Sequence, residues 1–200
     1  MLIKFFKLFC FILLLIYQSS VYSKNKDINE FNSKNFSSYF SALVSYDNQK
    51  NADALKFFTL SDPLINRHDP YLKKYVFSLV LEGKIKQSIK QLKKSSGKKS
   101  SDFFEAYLIL TLDSIKKKNF KKSNRYLNEL SRFKENSTFE LIIYESLKNY
   151  IYLFENKQTL LNNNTLGNLS LVSKIFHSCY IGEKATQAHF ENLVNSDEVN

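Results

Sequence analysis

The sequence predicts an all-α protein, and its composition and apolar spacing carry that prediction. Only four Gly and two Pro occur among 200 residues, whereas a β-sandwich or barrel needs turn residues roughly every 8 to 12 positions. Apolar residues make up 44% of the chain, enough to bury a sizeable core. They recur at helical spacing in stretches of about 12 to 16 residues between short polar breaks. This pattern favours antiparallel helix pairs.

The first 23 residues have the layout of a secretory signal peptide. Lys4 and Lys7 precede an apolar run over residues 8–17, and Val21 and Ser23 fit the residues before a cleavage site. The run is shorter than the roughly 20 residues of a membrane-spanning helix. We therefore expect an exported protein, periplasmic or envelope-associated, with an uncleaved inner-membrane anchor as the alternative. Residues 24–34 are predicted to be a flexible polar leader.

Local signals mark the expected ends of several helices. Pro70 suits a first helical position, where its missing N–H is not needed. Asp102 with Glu105, and Ser137 with Glu140, have the spacing of capping boxes. Each cap of this kind contributes about 1 kcal/mol to helix stability.

An internal repeat organises the middle of the chain. Residues 51–58, 85–92 and 120–127 align with one another, and their small residues Ala54, Ser88 and Ser123 lie 34 and 35 positions apart. Each segment follows a polar turn and, before it, an apolar helix. The period is that of a two-helix unit, so three helical hairpins are predicted over residues 35–135.

On these residues the chain resembles the tetratricopeptide repeat (TPR) family, whose 34-residue units are antiparallel helix pairs. Val76 and Thr111 are larger than the family pattern prefers, and Ser38 departs from its anchor position. The resemblance implies a right-handed superhelix of stacked hairpins. The residues that carry it are Ala42, Ala54, Phe58, Ser88, Leu92, Phe120, Ser123 and Leu127.

The repeats fade after residue 135. Residues 136–161 are predicted to be a degenerate fourth hairpin, with a strong first helix and a second helix reduced to about residues 157–161. An Asn-rich loop is expected over 162–168, and a further hairpin, complete or incomplete, over 169–200. We expect the apolar end of this last pair to need a partner, a second copy or further chain to cover it.

The resemblance also implies a partner-binding face on the concave side, lined by the first helix of each hairpin. This face would bind a protein or peptide without catalysis. For any single aromatic residue there, packing between helices is an equally good explanation. The residues that form this predicted helix-A face are Tyr39, Leu43, Tyr46, Lys73, Phe77, Val80, Glu105, Leu108 and Leu112.

Most of the net charge of +10 lies in one segment. Residues 84–122 contain twelve Lys and only three acidic residues, Asp102, Glu105 and Asp113, which gives this segment a net charge of +9. The resemblance implies that the second helix of each unit lies on the outer, convex side, so these lysines would point outward, either as a solvated face or as a contact for anionic lipid or an acidic partner. Nucleic acid is disfavoured because the chain has only three Arg and is expected to be exported. The lysines are Lys84, Lys86, Lys90, Lys93, Lys94, Lys98, Lys99, Lys116, Lys117, Lys118, Lys121 and Lys122.

No catalytic or metal-binding pattern is present in the sequence. There is no Gly-rich phosphate loop, paired-cysteine zinc spacing or nucleophile elbow. His177 and Cys179 are two residues apart on a predicted helix and would point about 200° away from each other. His68 and His189 are distant in sequence. We therefore predict neither enzyme activity nor a metal or cofactor.

Overall fold

A computed structural model describes residues 32–65, 67–160 and 168–195. Within these ranges the chain is helical and forms no strand, so the predicted all-α class is confirmed. The predicted signal peptide, most of the leader and of the Asn-rich loop, and residues 196–200 lie outside the described ranges. The helices are α1 Ser33–Asp47, α2 Asn51–Leu60, α3 Asp69–Leu81, α4 Ile85–Lys94, α5 Phe104–Lys116, α6 Phe120–Leu130, α7 Thr138–Asn156, α8 Asn168–Ile181 and α9 Thr186–Val194.

Helices α1 to α6 pair as α1–α2, α3–α4 and α5–α6, and each packs chiefly on its neighbours in sequence. The three turns inside the pairs have one geometry. Gln49, Gly83 and Lys118 each have a positive φ, of 59°, 69° and 53°. The amide of each donates to the carbonyl three residues earlier at 2.8–2.9 Å, and the next amide donates to the carbonyl five residues earlier. This is the Schellman ending of a helix, repeated at spacings of 34 and 35 residues.

The residues of the repeat pattern form the contacts between these helices. Ala54, Ser88 and Ser123 are completely buried, because at these positions two helices approach closely. Val76 and Thr111 are also fully buried although they are larger, and the Thr111 hydroxyl donates to the Tyr107 carbonyl at 2.7 Å. Of the other pattern residues, Phe120 is half-buried and the following are buried: Ala42, Phe58, Leu92 and Leu127.

Two capping predictions have different outcomes. The Ser137 hydroxyl accepts from the Glu140 amide at 3.2 Å, so Ser137 is confirmed as the N-cap of α7, while the Glu140 carboxylate accepts from the Ser137 hydroxyl rather than from its amide. The prediction for Asp102 is wrong, because α5 begins after Phe103, which has no side-chain cap. Asp102 is held instead by Arg132, 30 residues further along the chain.

The predicted leader ends earlier than expected. Helix α1 begins at Ser33, and the Asn32 side chain accepts from the Asn35 amide at 2.8 Å. Asn is a strong N-cap residue, so the last two residues assigned to the leader belong to the helix instead.

The second half of the predicted fourth hairpin is not helical over residues 157–160. Lys157 adopts the left-handed conformation, and its amide donates to the Leu153 carbonyl at 2.9 Å, which ends α7. Helices α8 and α9 follow. Helix α8 packs on α7 through rings, with Tyr150 5.5 Å from Phe176 between centroids, and α9 buries no residue.

None of the helices in the described ranges is long and apolar enough to cross a membrane.

Candidate binding surfaces

The predicted helix-A face is largely part of the core. Tyr39 is only 6% exposed; its hydroxyl is 2.7 Å from His68 Nδ1, and its ring stacks on Tyr71 at 5.2 Å. Burial raises the pKa of the Tyr39 hydroxyl. Leu43 and Tyr46 are half-buried and pack against the same core cluster. These three residues stabilise the contact between the first two hairpins.

The other charged and aromatic residues of the helix-A face are paired within the fold. Lys73 forms an ion pair with Glu105 at 3.1 Å, which joins α3 to α5. The Lys73 ammonium also lies 5.5 Å from the ring centroids of Phe77 and Phe103. Such cation–π contacts contribute about 0.5–1 kcal/mol at exposed sites.

Only a small apolar part of the helix-A face is accessible. Leu108 is half-buried in the second core cluster, beside α6 and α7. Val80 is partly exposed, and Leu112 is 48% exposed. Of the nine residues of the helix-A face, Leu112 alone is exposed, and Val80 is half-buried like Leu43, Phe77 and Leu108.

The twelve lysines between residues 84 and 122, called here the lysine surface, are all exposed. On α4, Lys86 and Lys90 lie opposite the buried Ser88 and Leu92. On α6, Lys121 and Lys122 likewise lie outside the buried Ser123 and Leu127. The amphipathic pattern of these two helices thus turns their lysines away from the core.

Asp113 joins two parts of the lysine surface. Its side chain is 8% exposed and lies between the ammonium groups of Lys93, at 2.8 Å, and Lys117, at 2.6 Å. Burial would raise the pKa of the Asp113 carboxyl, but the hydrogen bonds from Lys117 and Lys93 outweigh it and leave the pKa below its ordinary value. The hydrogen bond between Lys93 and Asp113 also raises the pKa of the Lys93 ammonium group. The outer face of α4 is thereby linked to the α5–α6 turn.

The other two acidic residues of the segment do not neutralise the lysine surface. Asp102 accepts from Arg132 at 2.6 Å and from the Tyr107 hydroxyl at 3.0 Å. The Arg132 hydrogen bond is the main cause that lowers the pKa of the Asp102 carboxyl. Glu105 pairs with Lys73, which lies outside the surface.

Most of these lysines have no carboxylate partner within the described parts of the chain. Lys93 and Lys117 share Asp113, and Lys99 lies 3.4 Å from Asp69. Among the residues that the structure describes, eight lysines of the surface form no ion pair. These are Lys84, Lys86, Lys90, Lys94, Lys116, Lys118, Lys121 and Lys122.

The placement of three lysines is unfavourable for helix stability. Lys86 lies in the first turn of α4, and Lys121 and Lys122 lie in the first turn of α6, where neither helix has an acidic residue. A cation near a helix N-terminus opposes the helix dipole, typically by about 0.3–1 kcal/mol. These three charges therefore do not stabilise the helices on which they lie.

The histidine and cysteine residues do not form a joint site. His177 is buried with its ring 5.1 Å from that of Tyr150, whereas Cys179 is exposed, as the predicted 200° separation requires. Burial lowers the pKa of His177, and its Nε2 has no hydrogen-bond partner. No cluster of His, Cys, Asp and Glu suited to a metal ion occurs in the described parts of the chain.

A surface cleft of about 320 Å³ beside α2 was not foreseen from the sequence. It places Lys56 of α2 next to Lys84 of the lysine surface, with an apolar floor between them. The residues that line it are Ala52, Leu55, Lys56, Thr59, Leu60, Glu82 and Lys84. A signal for this proximity was present in the repeat, because α2 and α4 are equivalent helices of successive hairpins and Lys84 immediately precedes α4.

Comparisons with protein-family models, with curated proteins and with solved structures give no match for this chain.

Proposed function

We propose that this chain is an exported, non-enzymatic helical-hairpin protein of the cell envelope that binds an anionic partner through its lysine surface. The observation that carries the proposal is the set of eight exposed lysines without a carboxylate partner in the described residues. Like charges on one surface repel each other, and an anionic partner relieves that repulsion.

The proposed architecture is a TPR-like right-handed superhelix. It is supported by the spacing of 34 and 35 residues, which recurs in the buried small residues and in the positive-φ turns. In such a stack each hairpin contacts only its neighbours, so the outer faces of its second helices form one continuous surface. Export is supported by the signal-like first 23 residues.

The test is binding of soluble polyglutamate, measured by titration at increasing salt. The variant Lys84→Gln/Lys118→Gln/Lys122→Gln removes three charges from the lysine surface. The matched control Lys34→Gln/Lys174→Gln/Lys184→Gln removes three exposed charges elsewhere. We expect the first variant to lose most of the affinity and the control to keep it, because the binding energy depends on local charge density.

Equal affinity of the two variants would contradict the proposal, since binding would then follow the net charge of +10 rather than its location. Binding that does not weaken with salt would contradict it as well, because exposed charges are screened beyond about 8 Å at physiological ionic strength.

A second candidate function is capture of a partner protein or peptide on the helix-A face. The half-exposed side chain of Leu112 is the observation that favours it. Leu112→Glu should reduce recovery of partners from envelope fractions. The control Val172→Glu, at a similarly exposed position on α8, should not. Equal recovery by both variants excludes this face.

A further inference from the structure

The topology brings the three turns inside the hairpins to one end of the molecule. Short connections make successive helices antiparallel, so the first helix of every pair ends on the same side. We call this side, formed by residues 48–50, 82–84 and 117–119, the turn end. Seven of the twelve lysines lie in these turns or within three residues of them: Lys84, Lys86, Lys116, Lys117, Lys118, Lys121 and Lys122. By the same criterion the turn end also contains Lys50, Asp47, Asp53 and Glu82, so its eight lysines and three acidic residues give a net charge of +5.

Two large apolar side chains accompany these lysines. Leu81, the last residue of α3, is 58% exposed, and Ile85, the first residue of α4, is 43% exposed. These two side chains flank the 82–84 turn, and Ile85 lies between Lys84 and Lys86 in sequence. Apolar side chains among lysines are the combination that binds the interface of an anionic bilayer.

We infer that the turn end docks on an anionic lipid membrane, with Leu81 and Ile85 entering the headgroup layer and the lysines above the lipid phosphates. This inference rests on the proposed function and names its partner. Each lysine near an anionic membrane surface strengthens binding by about fivefold. Burial of the exposed parts of two aliphatic side chains adds about tenfold or more.

An acidic protein fits the turn end less well. Recognition of carboxylates favours the bidentate fork of Arg, whereas the turn end presents compact ammonium groups spread over two turns. A fluid lipid surface needs only charge density and tolerates that spread. The apolar side chains at the 82–84 turn would also be left in water at the edge of a purely ionic contact.

The experiment is co-sedimentation of the full chain with vesicles of zwitterionic phospholipid, with and without a quarter of anionic phospholipid. The neutral vesicles serve as the blank, because the apolar run at residues 8–17 is the same in every variant. We expect the anionic increment to fall about a hundredfold in Lys84→Gln/Lys118→Gln/Lys122→Gln. It should be unchanged in Lys34→Gln/Lys174→Gln/Lys184→Gln.

A second pair of variants separates lipid from other anions. Leu81→Ser/Ile85→Ser should lose about tenfold in binding to anionic vesicles while keeping its affinity for polyglutamate. The matched control Val172→Ser/Val194→Ser, at exposed apolar positions of α8 and α9, should keep both. Circular dichroism verifies that each variant is as helical as the parent.

The outcomes separate the inference from the proposed function. Polyglutamate binding that depends on the lysine surface, without any anionic increment in vesicle binding, overturns the lipid inference and leaves the proposed function standing. An unchanged increment in the Leu81→Ser/Ile85→Ser variant overturns the inference too. Polyglutamate binding that ignores the lysine surface overturns both.

Discussion

The second hairpin and the last one use helices of similar length in different ways. Around α3, Phe58, Tyr71 and Leu72 are completely buried, and the Tyr71 hydroxyl donates to the Phe58 carbonyl and lies 3.0 Å from the Ser61 hydroxyl. In the last pair, α9 buries no residue and Phe190 is half-exposed. The second hairpin has neighbours on both sides and buries two faces, whereas among the described residues α9 packs chiefly on α8.

The largest expected effect is the difference in free energy of unfolding between removing a buried ring and removing an exposed one. Phe58→Ala should lower the free energy of unfolding by about 3–5 kcal/mol, because it leaves a cavity in the first core cluster. Phe190→Ala should change it by less than about 0.5 kcal/mol. Urea denaturation followed by circular dichroism measures both. Similar losses in the two variants would show that α9 is packed as firmly as α2.

The last pair should also be the more sensitive to acid. Burial lowers the pKa of His177, so folded protein binds this proton less readily than unfolded protein. The free energy with which α8 packs on α7 is therefore independent of this group above pH 6.5, roughly the pKa of histidine in unfolded protein. Below that pH this free energy falls by up to about 1.4 kcal/mol per pH unit. The loss ends where the folded group itself protonates.

Thermal unfolding of the wild type and of His177→Leu between pH 7.5 and 5 measures this effect. Asp102 and Asp113, whose pKa values are lowered, contribute to acid sensitivity equally in both proteins, so the difference isolates His177. A parallel pH dependence of the two proteins would contradict the expectation.

The smallest expected effect compares two equivalent turns. Gly83 and Lys118 occupy the same left-handed position, which costs a residue with a Cβ about 1 kcal/mol. Lys118→Gly should therefore stabilise its turn by several tenths of a kcal/mol, and Gly83→Ala should destabilise its own by about 1 kcal/mol. Nothing lies within 4 Å of a Cβ at Gly83, so the backbone alone sets that loss. Effects of the same sign in both turns would contradict their equivalence.

The sequence predicts those features of the fold that depend on the repeat and on helical spacing. The recurrence of Ala54, Ser88 and Ser123 predicts close helix contacts, and these residues are buried. The family resemblance implies outward lysines on α4 and α6, and these lysines are exposed. The sequence does not predict burial or pairing that depends on residues distant in the sequence. Tyr39 is buried because His68 and Tyr71 come to lie beside it.

Two other differences have the same origin. Asp102 pairs with an arginine 30 residues away instead of capping the next helix, because that arginine is brought beside it by the third hairpin. The end of α7 depends on a left-handed lysine, Lys157, which no helix propensity marks. Exposed fractions on the helix-A face likewise follow from the stacking of hairpins rather than from helix periodicity.

The most direct test of the lysine surface is chemical acetylation of each lysine, followed by mass spectrometry, with and without vesicles that contain anionic phospholipid. Acetylation of Lys84, Lys118 and Lys122 is predicted to slow when vesicles are present, while Lys174 and Lys184 on the last hairpin keep their rates. Unchanged rates at all five lysines, or protection confined to the last two, would contradict the docking of this surface on an anionic membrane.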